Sequence, residues 1–400
     1  MTDQAHGQAT KEAGIAGPRT AEHKKWAAQR IQQLLLAAPH LEEHYKHARQ
    51  VIRAFRRPAF YEVSTRCNLK CEGCYYFEDG KTAKSRPMSS EEEWKRFYSA
   101  ESARGVSMAY FVGAEPALEP KRLMAAAPFF PYGNIGTNGT IRIPREVPYR
   151  IGVSVWAGDD STDRLLRGGS VFRKALEIYK GDRRAIMLFT LSRKTIDHIP
   201  KMTQACRDHG LPLTFNIYSP TTSFLNKLRE NRPHDRDFFR FSTHSDNPLL
   251  SAEDLNRIRH LISEQMDAYP ETVIYDHHYN RLMSAPQPPH EVDRQTGIAE
   301  SCGSRIVEPM RYYGADLQQK AVKCCTPDVD CRSCRLYSGG WSSRFVPSAT
   351  DLATIASFEA WLKTMRTLGR IFLLPREDGC ISPAKPLSAA ENLPEFAGVD

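Results

Sequence analysis

Three cysteines, Cys67, Cys71 and Cys74, crowd into the stretch Arg66-Cys67-Asn68-Leu69-Lys70-Cys71-Glu72-Gly73-Cys74. The run Ala59-Phe60-Tyr61-Glu62-Val63 just before it reads as a strand. A closed structural metal site wants four protein ligands, and this loop offers three. Three thiolates on one tight loop can hold three irons of a four-iron cube and leave the fourth open to a small molecule. A zinc knuckle or three scattered thiols is the competing reading, and it lacks a local fourth ligand.

Four hundred residues suffice for one large barrel and a small appended unit. No apolar run approaches the length that spans a membrane, and the polar start Met1-Thr2-Asp3-Gln4-Ala5-His6-Gly7 lacks a secretory core, so the expected location is cytoplasmic. Ten cysteines in such a compartment point to metal or redox work rather than disulfides. The net charge of +8 is scattered, its densest run being Arg53, Arg56 and Arg57. It reads as a solvated basic face, with no nucleic-acid partner expected.

Residues 1–20 read as disordered, and 21–57 as two helical stretches broken at Pro39. Strand and helix patterns then alternate over 58–283, which favours a parallel sheet with crossover helices. Strands are expected at Phe60–Val63, Met108–Val112, Asn134–Thr137, Ile151–Trp156, Ile186–Thr190 and Leu213–Ile217. Helices fall at Ser90–Ala103, Val171–Tyr179, Ile196–His209, Leu249–Tyr269 and Ser357–Leu368. The stretch Ser284–His290 reads as a linker into a cysteine-dense module over 284–345, and 346–400 as a helix with an extended tail. The fold class is therefore α/β with a small C-terminal cysteine-rich domain, and the six strands match in number the partial (β/α)6 TIM-like barrel that the resemblance below implies.

The loop resembles the C-x3-C-x2-C signature of the radical SAM family, which comes after the first strand of such a barrel. The resemblance implies a 4Fe–4S cluster on Cys67, Cys71 and Cys74. It implies S-adenosylmethionine chelating the open iron and its cleavage to a 5′-deoxyadenosyl radical. Members often carry an aromatic residue before the third cysteine, where it helps seat the adenine; here Gly73 stands there, and Tyr75 and Tyr76, which come next, are the candidates to supply the ring, Tyr75 foremost. Val112-Gly113-Ala114-Glu115-Pro116 resembles the family's Gly-Gly-Glu-Pro segment, which implies that Gly113 and Glu115 receive the methionine ammonium. Gly136-Thr137-Asn138-Gly139 resembles the turn lining the cofactor, with Asn138 a possible contact. Val153-Ser154-Val155-Trp156-Ala157-Gly158, then Asp163-Arg164 and Arg167-Gly168-Gly169, resembles a run of the maturase-like branch. It implies Ser154 on the ribose, with Arg164 and Arg167 competing for the carboxylate, for which a planar guanidinium is suited.

Cys302, Cys324, Cys325, Cys331 and Cys334 resemble the SPASM or Twitch extension, which binds auxiliary clusters. One 4Fe–4S cluster takes four thiols, so the expected ligands are Cys302, Cys324, Cys331 and Cys334, with Cys325 competing with Cys324. A zinc ribbon is the alternative. Cys206 reads as core and Cys380 as a spare thiol. Adjacent His277 and His278 are read on a strand and point opposite ways, which speaks against a shared ion and leaves Asp276 and His278 as candidates to face the barrel and touch substrate.

The step after hydrogen-atom abstraction is open: oxidation, epimerisation, rearrangement or bond formation. The auxiliary cluster is expected to accept an electron or to serve as a sulfur source, and a flavodoxin- or ferredoxin-type donor to supply electrons. Lacking a separate peptide-binding module, the chain is expected to act on a small polar metabolite of amino-acid, sugar or nucleoside type. A maturase of ribosomal peptides or proteins is the alternative. A zinc-binding nucleic-acid or interaction protein is the alternative of another class. Substrate contacts are expected at Thr190, Ser192, Asn216 and Tyr218.

Overall fold

Seven parallel strands form one sheet in the order β6-β5-β4-β3-β2-β1-β7. They are β1 (Pro58–Ser64), β2 (Met108–Gly113), β3 (Tyr132–Thr137), β4 (Arg150–Val155), β5 (Ala185–Leu191), β6 (Leu213–Ile217) and β7 (Arg311–Tyr313). The computed structural model describes residues 21–77, 90–326 and 328–374. The N-terminal twenty residues, Cys380 and the tail after Pro383 lie outside the described residues.

β1 and β5 are buried at every position, as a parallel sheet covered on both faces requires. Tyr61, Ile135, Val153, Phe189 and Phe215 belong to the main core. Their neighbours of opposite parity, among them Phe60, Tyr110, Asn134, Gly152, Leu188 and Asn216, line one cavity. Adjacent strands lie about 4.8 Å apart, so β1 and β6 of a flat sheet would stand more than about 20 Å from each other. Residues of both line this cavity, so the sheet curls around it. The curl stops short of closure, with β6 and β7 as its outer strands. Segment 272–274 covers the β6 edge, with Leu213 and Ile274 donating backbone bonds to Thr272 and Leu213.

The six expected strands are all present, and β7 is an addition. It comes from the cysteine-rich segment and pairs with β1 through Ala59↔Arg311, Phe60↔Tyr312 and Tyr61↔Tyr313. At three residues it is too short to show an alternating pattern. Its Tyr312 stacks on Phe60, which stacks in turn on Tyr110, with ring centroids 6.1 Å and 4.6 Å apart. The cysteine-rich segment is thereby joined to the sheet, and the stretch read as a linker is pinned as well: Arg335 donates to the carbonyls of Ala285, Pro286 and Gln287.

A second correction concerns His277 and His278, which begin the helix His277–Met283 rather than lying on a strand. Asp276 caps that helix by accepting from Tyr279 N, a role that local alternation does not announce. His277 pairs with Asp267 and His278 with Asp351, so neither is held for a substrate.

The N-terminal helices Ala21–Ala37 and Glu42–Ala54 pack against the C-terminal helix Ile355–Phe372. The end of that helix closes the barrel beneath the cavity. Phe372 meets Phe55 edge-on at 5.9 Å and stacks on Tyr337 at 5.3 Å. Arg150, at the start of β4, donates to the carbonyls of Arg370 and Ile371 at 2.9 and 3.2 Å, a cation placed where a helix C-terminus favours one. Burial brings its pKa down to about 10, which leaves it charged at neutral pH.

Phe372 is 2% exposed, so Phe372→Ala opens a void at the barrel floor. The expected cost is about 3–5 kcal/mol in urea unfolding. A cost under about 1 kcal/mol would show that the floor does not depend on this ring.

Candidate active site

Beyond the C-terminal end of β1 the chain turns into the cysteine loop, and the loop's backbone bonds go to two other segments. Lys70 N and Glu72 N donate to the carbonyls of Arg167 and Leu166, and Gly73 N donates to Phe238 O. Gly73 has φ +60°, and a Cβ there would lie 2.3 Å from Tyr218 Oη. The space that a side chain at position 73 would need is thus filled by Tyr218, from just past β6. Of the two tyrosines after the third cysteine, Tyr75 lines the cavity, while Tyr76 donates its hydroxyl to Glu62.

Cys67, Cys71 and Cys74 are half-buried and line a cavity of about 260 Å³ at the C-terminal ends of the strands. Cys67 Sγ accepts from Leu69 N at 3.4 Å and from Asn138 Nδ2 at 3.6 Å. Burial pushes all three thiols up; at Cys71 the Arg167 guanidinium opposes that shift.

Gly113, Glu115, Asn138, Ser154 and Arg167 line the same cavity. At Gly113 φ is +134° and a Cβ would meet Ser64 O at 2.4 Å, so only glycine lets β1 and β2 approach there. Glu115 is 1% exposed and accepts from Ala117 N, Thr137 Oγ1 and Asn138 N at 2.8, 2.7 and 2.6 Å. Burial holds its carboxyl above the usual range against these three bonds. It ties the end of β2 to the end of β3. Asn138 donates to Asn68 Oδ1, and Asn68 donates to Thr140, which fixes the cysteine loop to the turn after β3. Ser154 Oγ accepts from Trp156 Nε1 at 3.2 Å.

The two candidate arginines separate. Arg164 is exposed and does not line the cavity. Arg167 is 1% exposed and donates to Ser154 O and Asn138 O at 2.8 and 3.1 Å. Its Nε has no hydrogen-bond partner. Among the expected substrate contacts, Thr190, Asn216 and Tyr218 line the cavity; Ser192 instead bonds Thr195.

Cys302, Cys324, Cys325, Cys331 and Cys334 line an adjoining cavity with His290, Arg305 and Lys323. Cys334 lies within electrostatic reach of Cys302, Cys324 and Cys331. Among the described residues no three His, Cys, Asp or Glu side chains converge as a single metal ion would require. The module docks on the strand ends: Tyr337 N donates to Asn216 Oδ1, Arg335 N to Ser219 Oγ and Thr222 N to Asp328 O. Cys206 sits in the helix Ile199–Asp208 and belongs to the main core.

Glu72 is a residue that sequence reasoning misses. It is fully buried and accepts from Arg240 N at 2.8 Å and Ser242 N at 3.1 Å. A glutamate between two cysteines looks like an exposed loop residue; only the distant segment 238–242 reveals its task.

No protein-family model matches the chain, and no curated protein matches it. Among solved structures, SuiB of Streptococcus suis is 14% identical, with TM-score 0.41 over 59% of this chain and 52% of that one. SuiB bound to its precursor peptide SuiA is 13% identical, with TM-score 0.44 over 69% and 62%. Native anSMEcpe with bound AdoMet is 16% identical, with TM-score 0.45 over 67% and 74%. The matched region thus spans little more than half of SuiB, and similarity at this level assigns no activity to this chain.

Glu72→Ala leaves two backbone donors of the 238–242 segment unpaired. The expected loss is about 2–4 kcal/mol, with faster amide exchange over 238–242 than in wild type. Unchanged exchange there would show that Glu72 does not hold the segment.

Proposed function

We propose that this chain is a radical SAM enzyme. The observation that carries the reading is one cavity whose wall holds Cys67, Cys71 and Cys74 together with Gly113, Glu115, Asn138, Ser154 and Arg167, all at the C-terminal ends of parallel strands. Sites of this architecture gather there. The fit extends to space as well as donors. Gly136 and Gly152 pair across β3 and β4 on the cavity wall. A Cβ at Gly136 would meet nothing within 4 Å, and one at Gly152 only Ile135 O at 3.8 Å.

A 4Fe–4S cluster on the loop, with S-adenosylmethionine beside it, supplies when bound a radical able to take a hydrogen atom from an unactivated carbon. The chain's own residues prepare that chemistry. Asn138 and Leu69 donate to Cys67 Sγ, and such bonds tune a cluster's potential. Arg167 sets its guanidinium beside Cys71 and lowers the cost of a thiolate there. Glu115 fixes the strand ends on which Asn138 and Thr137 stand. Tyr75, Trp156 and Tyr218 present rings to the cavity. The five C-terminal thiols supply four ligands for an auxiliary 4Fe–4S cluster, and a flavodoxin- or ferredoxin-type donor supplies electrons.

The wall bears on substrate class. Apart from cysteines and tyrosines, its ionisable residues among those described are Glu115 and Arg167, and both are engaged with the strand ends. Phe60, Tyr110, Leu188, Val329, Leu336 and Tyr337 make the remainder largely apolar. A small polar metabolite of amino-acid, sugar or nucleoside type, the first expectation, would leave this apolar surface uncovered. An apolar or aromatic side chain of a ribosomally made peptide suits the wall better, and the proposed activity is peptide modification.

Cys71→Ala is expected to abolish 5′-deoxyadenosine formation and to remove about four irons per chain under anaerobic reconstitution. Retained cleavage would refute the assignment. Gly136→Ala is expected to leave the unfolding midpoint unchanged and to weaken S-adenosylmethionine binding about tenfold, since overpacking costs about 1–3 kcal/mol. Unchanged affinity in equilibrium dialysis would place the ligand away from the glycine pair.

A further inference from the structure

Five thiols surround the C-terminal cavity, and a 4Fe–4S cluster takes four. They are not equivalent. Cys302, Cys324, Cys331 and Cys334 line that cavity alone, whereas Cys325 also lines the barrel cavity that holds Cys67, Cys71 and Cys74. Its Sγ lies 3.5 Å from Ser338 Oγ, and Ser338 too lines both cavities. Cys324 points elsewhere: its Sγ sits 3.3 Å from Thr326 O, and its backbone bridges to Arg305.

Apart from Ser338, Cys325 meets apolar side chains on the barrel side. It packs with Phe60 and Tyr312 in a small cluster that also takes in Tyr110 and Val112. Arg167, buried on the wall of the same barrel cavity, leaves its Nε without a hydrogen-bond partner while its guanidinium stands beside Cys71.

We infer that the five thiols divide four to one: Cys325 stays outside the auxiliary cluster, and its free thiol forms part of the substrate wall of the barrel cavity. The ligand portion it receives is apolar, as the rings of Phe60, Tyr110 and Tyr337 beside it require. A thiol is small and polarisable and packs against such a group without demanding a hydrogen bond. In the loaded protein Cys325 is thus the thiol of the module that a small reagent in the barrel cavity can reach.

The inference rests on the proposed radical SAM reading, and the experiment separates the two. Full-length wild type, Cys325→Ser and Cys324→Ser are reconstituted anaerobically and assayed for iron and sulfide, with far-UV circular dichroism as the folding control. Each loaded protein is then treated with iodoacetamide and its peptides mapped by mass. Expected are about eight irons in wild type and in Cys325→Ser, about four in Cys324→Ser, and, in loaded wild type, alkylation that fragment ions locate at Cys325 rather than at Cys324 or Cys331 of the same peptide. Loss of about four irons in Cys325→Ser, retention of all in Cys324→Ser, or Cys325 left unmodified in loaded wild type would each overturn the division. Wild type that takes up no iron would instead overturn the radical SAM reading itself.

Discussion

A loop that must hold three thiols in place has no helix or strand of its own to stiffen it, so its backbone donors need partners elsewhere. The buried guanidinium of Arg167 is where those requirements meet. Its two Nη groups bind the carbonyls of Asn138 and Ser154, which locks the ends of β3 and β4 together. Its own carbonyl accepts from Lys70 N, one residue before Cys71. A buried charge is tolerated only when it is paired and hydrogen-bonded, and here that demand fixes geometry. Gly168 comes next in the left-handed region, with a Cβ there 2.4 Å from Arg240 Nη1, so the helix must end at Arg167 for the arrangement to exist.

Glu72 does on the other side of the loop what Arg167 does on the first. Its carboxylate collects the amides of Arg240 and Ser242, and Gly73 N reaches Phe238 O. The cysteines therefore hang between a helix end, joined to the loop by two backbone bonds, and an irregular segment after β6, joined by the buried Glu72 carboxylate and a backbone bond. Asn138 adds a third anchor through Asn68. Rigid support of this kind is what a site needs when its ligands stand on a loop.

Much of this plan is legible in the sequence because parallel strands and their helices leave strong periodic signals. Helix starts match their caps closely: Ser90 and Ser251 each open a helix with a reciprocal capping box. The thiol spacing is equally plain. β7 is invisible because three residues carry no period, and its place beside β1 depends on contacts some 250 positions away in sequence. The helix at His277 is hidden because Asp276, its cap, looks like part of an alternating run. Choosing Arg167 over Arg164 is beyond sequence reasoning as well: both lie on one short helix, and only the packing of that helix decides which enters the cavity. The long-range partners of Glu72 belong to the same class of hidden information.

The interior of a closed barrel is ordinarily filled by branched side chains in layers, and this one is filled only at its floor. Phe55, Tyr110, Phe345 and Phe372 occupy the lower end. Above them Gly136, Gly152 and Ser154 are too small to meet across the space. An unclosed sheet with an empty upper half would lose stability unless something else covered its strand ends. The cysteine-rich segment does so from both sides, adding β7 next to β1 and binding Asn216 and Ser219 beyond β6. The segment that carries the second set of thiols is thus also the one that finishes the cavity wall, and this is why Cys325 can belong to both cavities at once.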